Sequence, residues 1–238
     1  MRHVPRALHD GRMDAAFFAR MENILHLYGL PYNPDRPLLV FDERPCFLIG
    51  DVLTPIPMEA GHPKPEHYEY AKNGSCTVFL AFEPATGRRW VKARTARQVL
   101  SCEQEVFEKR SGLEYAKFMQ YVSDQFKDVE KIVLVQDNLS THSMNSFYSQ
   151  LKPDLAFKLV QKFEFHFTPV KSSWLNMAEL ELSALSRQCL NRRIGSMVEL
   201  EREVKAWVRA RNKARVTEKS RFCGRAVQSM KPLLEHHR

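Results

Sequence analysis

The chain has 238 residues, 44% hydrophobic and 27% charged, which is ordinary for a globular protein and enough to bury a sizeable core in one domain. No apolar run approaches the roughly 18 to 20 residues that cross a bilayer. The basic N-terminus, MRHVPRALHDGRM, lacks an apolar signal core, and five scattered cysteines without a C-x-x-C pair argue against a zinc ribbon or a disulfide framework.

These features predict a cytoplasmic protein with no membrane partner. The net charge is +8, and residues 187–225 hold twelve Lys/Arg against four Asp/Glu, an excess equal to the whole imbalance. A basic segment on a neutral body is an electrostatic footprint for a polyanion, most simply nucleic acid, although a solvated helix face would read the same way.

In chain order, residues 14–28 place Phe17/Phe18, Met21, Ile24/Leu25 and Tyr28 at helical spacing, and Gly29 and Pro31 end that helix. A short apolar strand, Leu38 to Phe41, follows and stops at Asp42-Glu43. Residues 51–75, rich in Pro and Gly, read as loop with an edge strand. TVFLAFEP (77–84) and RRWVKAR (88–94), joined by Ala85-Thr86-Gly87, read as a hairpin.

Residues 96–127 are mainly helical, with a stripe of Tyr115, Phe118/Met119, Val122 and Phe126 and an interruption at Ser111-Gly112. The strand at 131–136 is apolar on both faces and belongs inside a sheet. A short helix near 143–151 precedes FEFHF (163–167), a half-buried strand by its alternation. Residues 174–190 form another helix. Ser196 and Glu199 make a capping box that opens a basic amphipathic helix with Leu200, Val204 and Trp207/Val208 on its buried side.

This order predicts an α/β protein: a mixed β-sheet flanked by helices, with a C-terminal basic helical segment. Three parts follow: a helical lead-in over 1–34, a sheet-bearing domain over 35–195, and a helical extension over 196–238 packed on the same domain. No glycine-rich dinucleotide turn or P-loop occurs.

Asp42 closes one apolar strand and Asp137, in VQDNLSTH (135–142), closes another. In open α/β sheets functional groups gather beyond strand ends, although Asp there is also an ordinary turn residue. A third acid is available in WLNMAELELSAL. Leu175, Ala178, Leu182, Leu185 and Cys189 make its apolar stripe, and Glu179 and Glu181 lie on opposite borders, so periodicity does not choose between them. Clustered carboxylates repel one another unless a cation neutralises them, and hard oxygen ligands suit Mg²⁺ or Mn²⁺, here two ions.

VFDERP (40–45), VQDNLSTH and FHFTPVKSSWLNMAELELSALSRQCLNRRI (165–194) together resemble DDE-superfamily transposases of bacterial insertion sequences, in the branch related to mariner elements. The resemblance runs from about residue 14 to 225, and Trp-Leu-Asn-x-x-Glu is its most specific block. It implies an RNase H-like fold, with Asp42, Asp137 and Glu179 as catalytic metal ligands, and so favours Glu179 over Glu181.

By the same resemblance, Asn138 and His142 match neighbours of the second acid, in a supporting or DNA-contacting role. Trp174 and Asn176 shape the site or touch DNA. Arg192, Arg193, Arg209, Arg211, Lys213 and Arg215 in the basic segment are expected on DNA. The implied reaction is hydrolysis at an element end followed by attack of the freed 3′-OH on a target strand, at a short TA-containing site. Implied partners are double-stranded DNA, both terminal inverted repeats and target, and a second copy in a homodimeric synaptic complex.

Two features depart from the family. The first catalytic strand begins within 40 residues of Met1, so no N-terminal helix-turn-helix reader is expected and a separately encoded recognition part would supply end specificity. Residues 96–112 look longer than the usual connection. A DNA-binding remnant without activity and an RNase H-like nuclease that cuts without joining are the competing readings.

Overall fold

The structure is a computed structural model that describes residues 15–52, 69–96, 104–170 and 172–217, with 95–96 and 104–111 as backbone alone. The apolar runs assemble into one sheet of five strands: β1 (Leu38–Asp51), β2 (Tyr70–Glu83), β3 (Arg88–Ala96), β4 (Ile132–Gln136) and β5 (Phe163–Phe167). Their order is β3-β2-β1-β4-β5. The first three make an antiparallel meander, and β4 and β5 run parallel to β1. β4 is buried at every position because it has a neighbour on each side and helices on both faces.

β1 does not stop at Phe41 as the polar run DERP suggests; it continues to Asp51. The parallel ladder to β4 ends at Val40↔Val135, whereas β2 pairs on past Asp42↔Leu80 and Glu43↔Phe79 to Asp51↔Tyr70. One ladder is therefore enough to hold the strand extended while its side chains turn polar. Asp42 lies inside a strand, at the point where the parallel half of the sheet gives way.

Two cores cover the sheet. On one face Val40, Val78, Leu80 and Phe82 pack with Ile24 of α1 (Ala15–Gly29), Ala178, Leu182 and Leu185 of α5 (Ala178–Leu185), and Leu200, Val204 and Trp207 of α6 (Met197–Ala214). On the other, Leu39, Phe41 and Phe79 pack with Tyr115, Phe118 and Met119 of α2 (Gln104–Asp124), Phe147 of α3 (Met144–Gln150) and Leu159 of α4 (Pro153–Lys162). The aromatic stripe predicted for α2 is the buried one.

Three helical expectations change. α2 runs through Ser111-Gly112 without a break. Gly112 lies against α3, where an added Cβ would stand 3.5 Å from Ser146 Oγ. α4 occupies a stretch to which the apolar pattern assigns no element, opening on Pro153 with Asp154 in its first turn and Lys162 in its last, all favourable to a helix. The single helix expected over 174–190 is a 3₁₀ turn (Ser173–Leu175), α5, and a π turn (Ser186–Leu190).

Asn176 causes the first break. Its Oδ1 accepts the Ala178 N–H at 3.1 Å, satisfying one donor of a new helix start. The predicted cap of α6 forms, with Ser196 Oγ accepting the Glu199 N–H at 3.2 Å. Among the described residues no helix is long and apolar enough to cross a membrane.

Candidate active site

Strand alternation sends Asp42 and Glu43 to opposite faces of β1. Asp42 shares the face of Val40 and Leu80, under α5, and Glu43 shares that of Phe41 and Phe79, under α2 and α3. Asp42 Oδ1 accepts the Glu43 N–H at 2.7 Å, and Asn176 Nδ2 donates to the Phe41 carbonyl at 2.8 Å and to Asp42 Oδ2 at 3.3 Å. The residue that starts α5 thus also grips the strand beside the first acid.

Asp137 follows β4 directly, on the strand parallel to β1, and Glu179 is the exposed second residue of α5. The charges of both reach Asp42. Burial is the largest influence on the Asp42 carboxyl and raises it, the repulsion of Glu179 and Asp137 adds to this, and the Glu43 N–H and His142 oppose it; the result is about 7.

His142 is fully buried, with Nδ1 2.7 Å from Asp137 Oδ1 and Nε2 3.5 Å from Glu43 Oε2. Burial acts to hold its proton affinity down, but the two carboxylates outweigh it and lift the imidazole to about 9. At neutral pH the ring therefore carries a proton on both nitrogens. Of the two roles expected for His142, the supporting one agrees with a ring that has no exposed surface.

The two glutamates left open by periodicity separate sharply. Glu181 is 1% exposed and lies between Arg89 Nε at 2.9 Å and Arg211, whose two nitrogens reach it at 2.6 and 3.0 Å. Arg89 is itself buried and also bonds Asn212 Oδ1 and the Val216 carbonyl. Glu181 is occupied in tying α5 to β3 and α6, while Glu179 faces outward beside Asp42.

Asn138 is exposed in the loop after Asp137. Trp174 is half-buried beside Met21, Leu25 and Leu175, and acts as a plug under α1. Of the cations expected on DNA, three are engaged within the protein. Arg192 pairs with Glu203, Arg193 with Asp51 at 2.7 Å, and Arg211 with Glu181. Arg209, Lys213 and Arg215 are exposed. Sequence reasoning missed Glu43 and Arg89; the position of Glu43 next to Asp42 was the available signal for the first, and nothing in the local pattern marks the second as buried.

Asp42 and the two carboxylates whose charges reach it, Asp137 and Glu179, offer hard oxygen donors of the kind that suits Mg²⁺ or Mn²⁺. As they stand, no three His, Cys, Asp or Glu side chains among the described residues are grouped tightly enough to hold an ion. Asp137 engages His142 through Oδ1, and Asp42 engages Asn176 and the Glu43 N–H.

Among solved structures the chain is similar to a Mos1 mariner paired-end complex with Mn, at TM-score 0.52 and 14% identity, over 99% of this chain and 64% of that one. A paired-end complex with Mg gives TM-score 0.54 and 13% identity, over 94% and 61%. The catalytic domain of Mos1 mariner transposase gives TM-score 0.52 and 12% identity, over 96% of this chain and 92% of that one. The chain therefore spans less than two thirds of the paired-end chains and nearly all of the catalytic domain.

A five-stranded mixed sheet flanked by helices is the RNase H-like fold of transposase catalytic domains. No curated protein matches the chain. The sequence profile of the DDE superfamily endonucleases matches residues 37–201, and the chain belongs to that family.

Proposed function

We propose that the chain is a transposase catalytic domain that cuts DNA at the ends of a bacterial insertion sequence and joins the freed 3′ end to a target. Asp42, Asp137 and Glu179 would hold Mg²⁺ or Mn²⁺, two ions in the full site. The observation that carries this reading is geometric: Asp42 and Asp137 each lie two residues past Val40↔Val135, the last parallel pair of neighbouring strands, and Asn176, three residues before Glu179, donates to Asp42 Oδ2 at 3.3 Å. The Mos1 neighbours in paired-end and strand-transfer complexes support double-stranded DNA as the partner and synapsis of two ends, here by a homodimer.

When bound, a divalent pair would promote attack on a phosphodiester and neutralise the departing oxygen. The chain's own part is positioning. Asn176 fixes Asp42 relative to α5, and the buried Glu181–Arg89–Arg211 cluster fixes α5 relative to β3 and α6. The exposed Arg209, Lys213 and Arg215 of the α6 region would hold the DNA backbone, with Asn138 near the scissile strand. Hydrolysis breaks the phosphodiester and leaves a 3′-OH. That hydroxyl then displaces another 3′ oxygen at the target, with no protein–DNA covalent bond.

A Mn²⁺-dependent cleavage and strand-transfer assay on DNA carrying the element's ends tests this, with wild type beside Asp137→Asn. Cleavage and joining in wild type alone is the expected result. Equal activity in both removes the metal mechanism, cleavage without joining favours the nuclease, and inactivity of both favours the remnant.

A further inference from the structure

Glu43 takes no part in the proposed metal site. It projects from the face of β1 opposite to Asp42, so it cannot share an ion with that residue from where it stands. We infer that Glu43 is a positioning residue for Asp137, acting through His142; this rests on Asp137 being a metal ligand. The structure places the imidazole directly between the two carboxylates, with Nδ1 2.7 Å from Asp137 Oδ1 and Nε2 3.5 Å from Glu43 Oε2.

Every side of that ring is constrained. The side chain has no exposed surface. Tyr115 stacks on it with centroids 4.9 Å apart and planes 30° apart, and it meets Phe41 edge to face at 5.1 Å. The backbone of residue 142 is held as well: Gln136 Nε2 donates to its carbonyl at 2.6 Å, and Tyr115 Oη donates to Gln136 Oε1 at 2.9 Å.

Nε2 is the loose point, a buried nitrogen with no well-formed hydrogen bond, facing Glu43. A buried donor left in that condition is costly, and closing the gap to Glu43 satisfies it. With the ring fixed from both ends, Nδ1 engages Oδ1 of Asp137 and would leave Oδ2 to hold an ion. Groups behind metal ligands orient them in this way, and their loss commonly costs 10- to 100-fold in affinity.

The test is a Mn²⁺ titration of the full chain, followed by the electron paramagnetic resonance signal of free Mn²⁺, and it needs no turnover. Glu43→Ala should weaken binding about tenfold. His142→Asn, whose amide donates to Asp137 but does not reach Glu43, should weaken it by a similar factor. The double variant should be no weaker than His142→Asn alone, because the two residues act in series.

Unchanged affinity in Glu43→Ala overturns the inference. So do fully additive losses, which would mean that Glu43 acts only through its charge. Should His142→Asn not fold, Glu43→Gln decides: it keeps an acceptor for Nε2 without the charge and should bind near wild type, and a loss equal to that of Glu43→Ala overturns the inference. Asp137→Asn separates the two layers. If it binds Mn²⁺ as wild type does, the metal site itself fails; if it loses binding while Glu43→Ala does not, only the positioning role fails.

Discussion

Two glutamates on one short helix do unlike work because one faces a buried guanidinium and the other faces solvent. Removing Glu181 leaves Arg89 buried without its counter-charge, so Glu181→Ala should cost about 3 to 5 kcal/mol in urea denaturation. Glu179→Gln should change stability by less than about 0.5 kcal/mol and abolish Mn²⁺-dependent cleavage. The reverse pattern would exchange their roles. The helical wheel could not separate these residues, since both lie at the border of the apolar stripe; what separates them is Arg89 on a distant strand, which no local pattern reveals.

Asp42 gives a dependence on pH. Its folded value of about 7 lies above the ordinary 3.8, so between those values the folded chain holds a proton that the unfolded chain has lost. The stability tied to this group is full below about 3.8 and is lost as pH rises through about 7. His142, at about 9 against 6.5, acts in the same sense over 6.5 to 9. In EDTA, Tm should therefore fall from pH 5 to pH 9, and Asp42→Asn should flatten the lower part of that fall. A divalent ion relieves the repulsion at Asp42, so Mn²⁺ should raise Tm more at pH 8 than at pH 5; an equal rise at both would contradict the placement of Asp42 among the acids.

At the scale of elements, apolar periodicity was a sound guide wherever one face meets the core. The stripes of α1, α2 and α6 and the continuous run of β4 are buried as their spacing predicts. It failed where polar residues sit in regular structure for reasons outside the local window. β1 extends through DERP because β2 offers a ladder, and α4 was overlooked although Pro153, Asp154 and Lys162 carry its start and stop signals.

Gly112 reads as a breaker yet lies within α2, where the nearest neighbours of an added methyl group, Ser146 and Gln150, stand at ordinary van der Waals distance. Gly112→Ala should stabilise the chain by about 0.5 to 1 kcal/mol in thermal or urea unfolding. A destabilised variant would show that the approach of α3 tolerates no side chain there. For α6, alanine at Arg209, Lys213 and Arg215 together should make the plot of log affinity against log salt for duplex DNA shallower, by up to about 0.9 for each phosphate no longer neutralised. Arg211→Ala should instead lower Tm, because its partner is the buried Glu181.

On the scale of the whole molecule, the sheet changes character at Asp42: parallel strands on one side end there, and the antiparallel meander carries on. This junction brings together an acid within β1, an acid just past β4 and the first turn of α5, which Asn176 holds against β1. The family and the fold follow from the chain as a whole, whereas the proposed chemistry would depend on oxygens of Asp42, Asp137 and Glu179 meeting at that junction. The most direct measurement is anomalous diffraction from crystals of the full chain soaked in Mn²⁺. The expected result is manganese density touching Asp42, Asp137 and Glu179, with Glu181 still paired to Arg89; density elsewhere, or none between those three carboxylates, would contradict the proposed metal site.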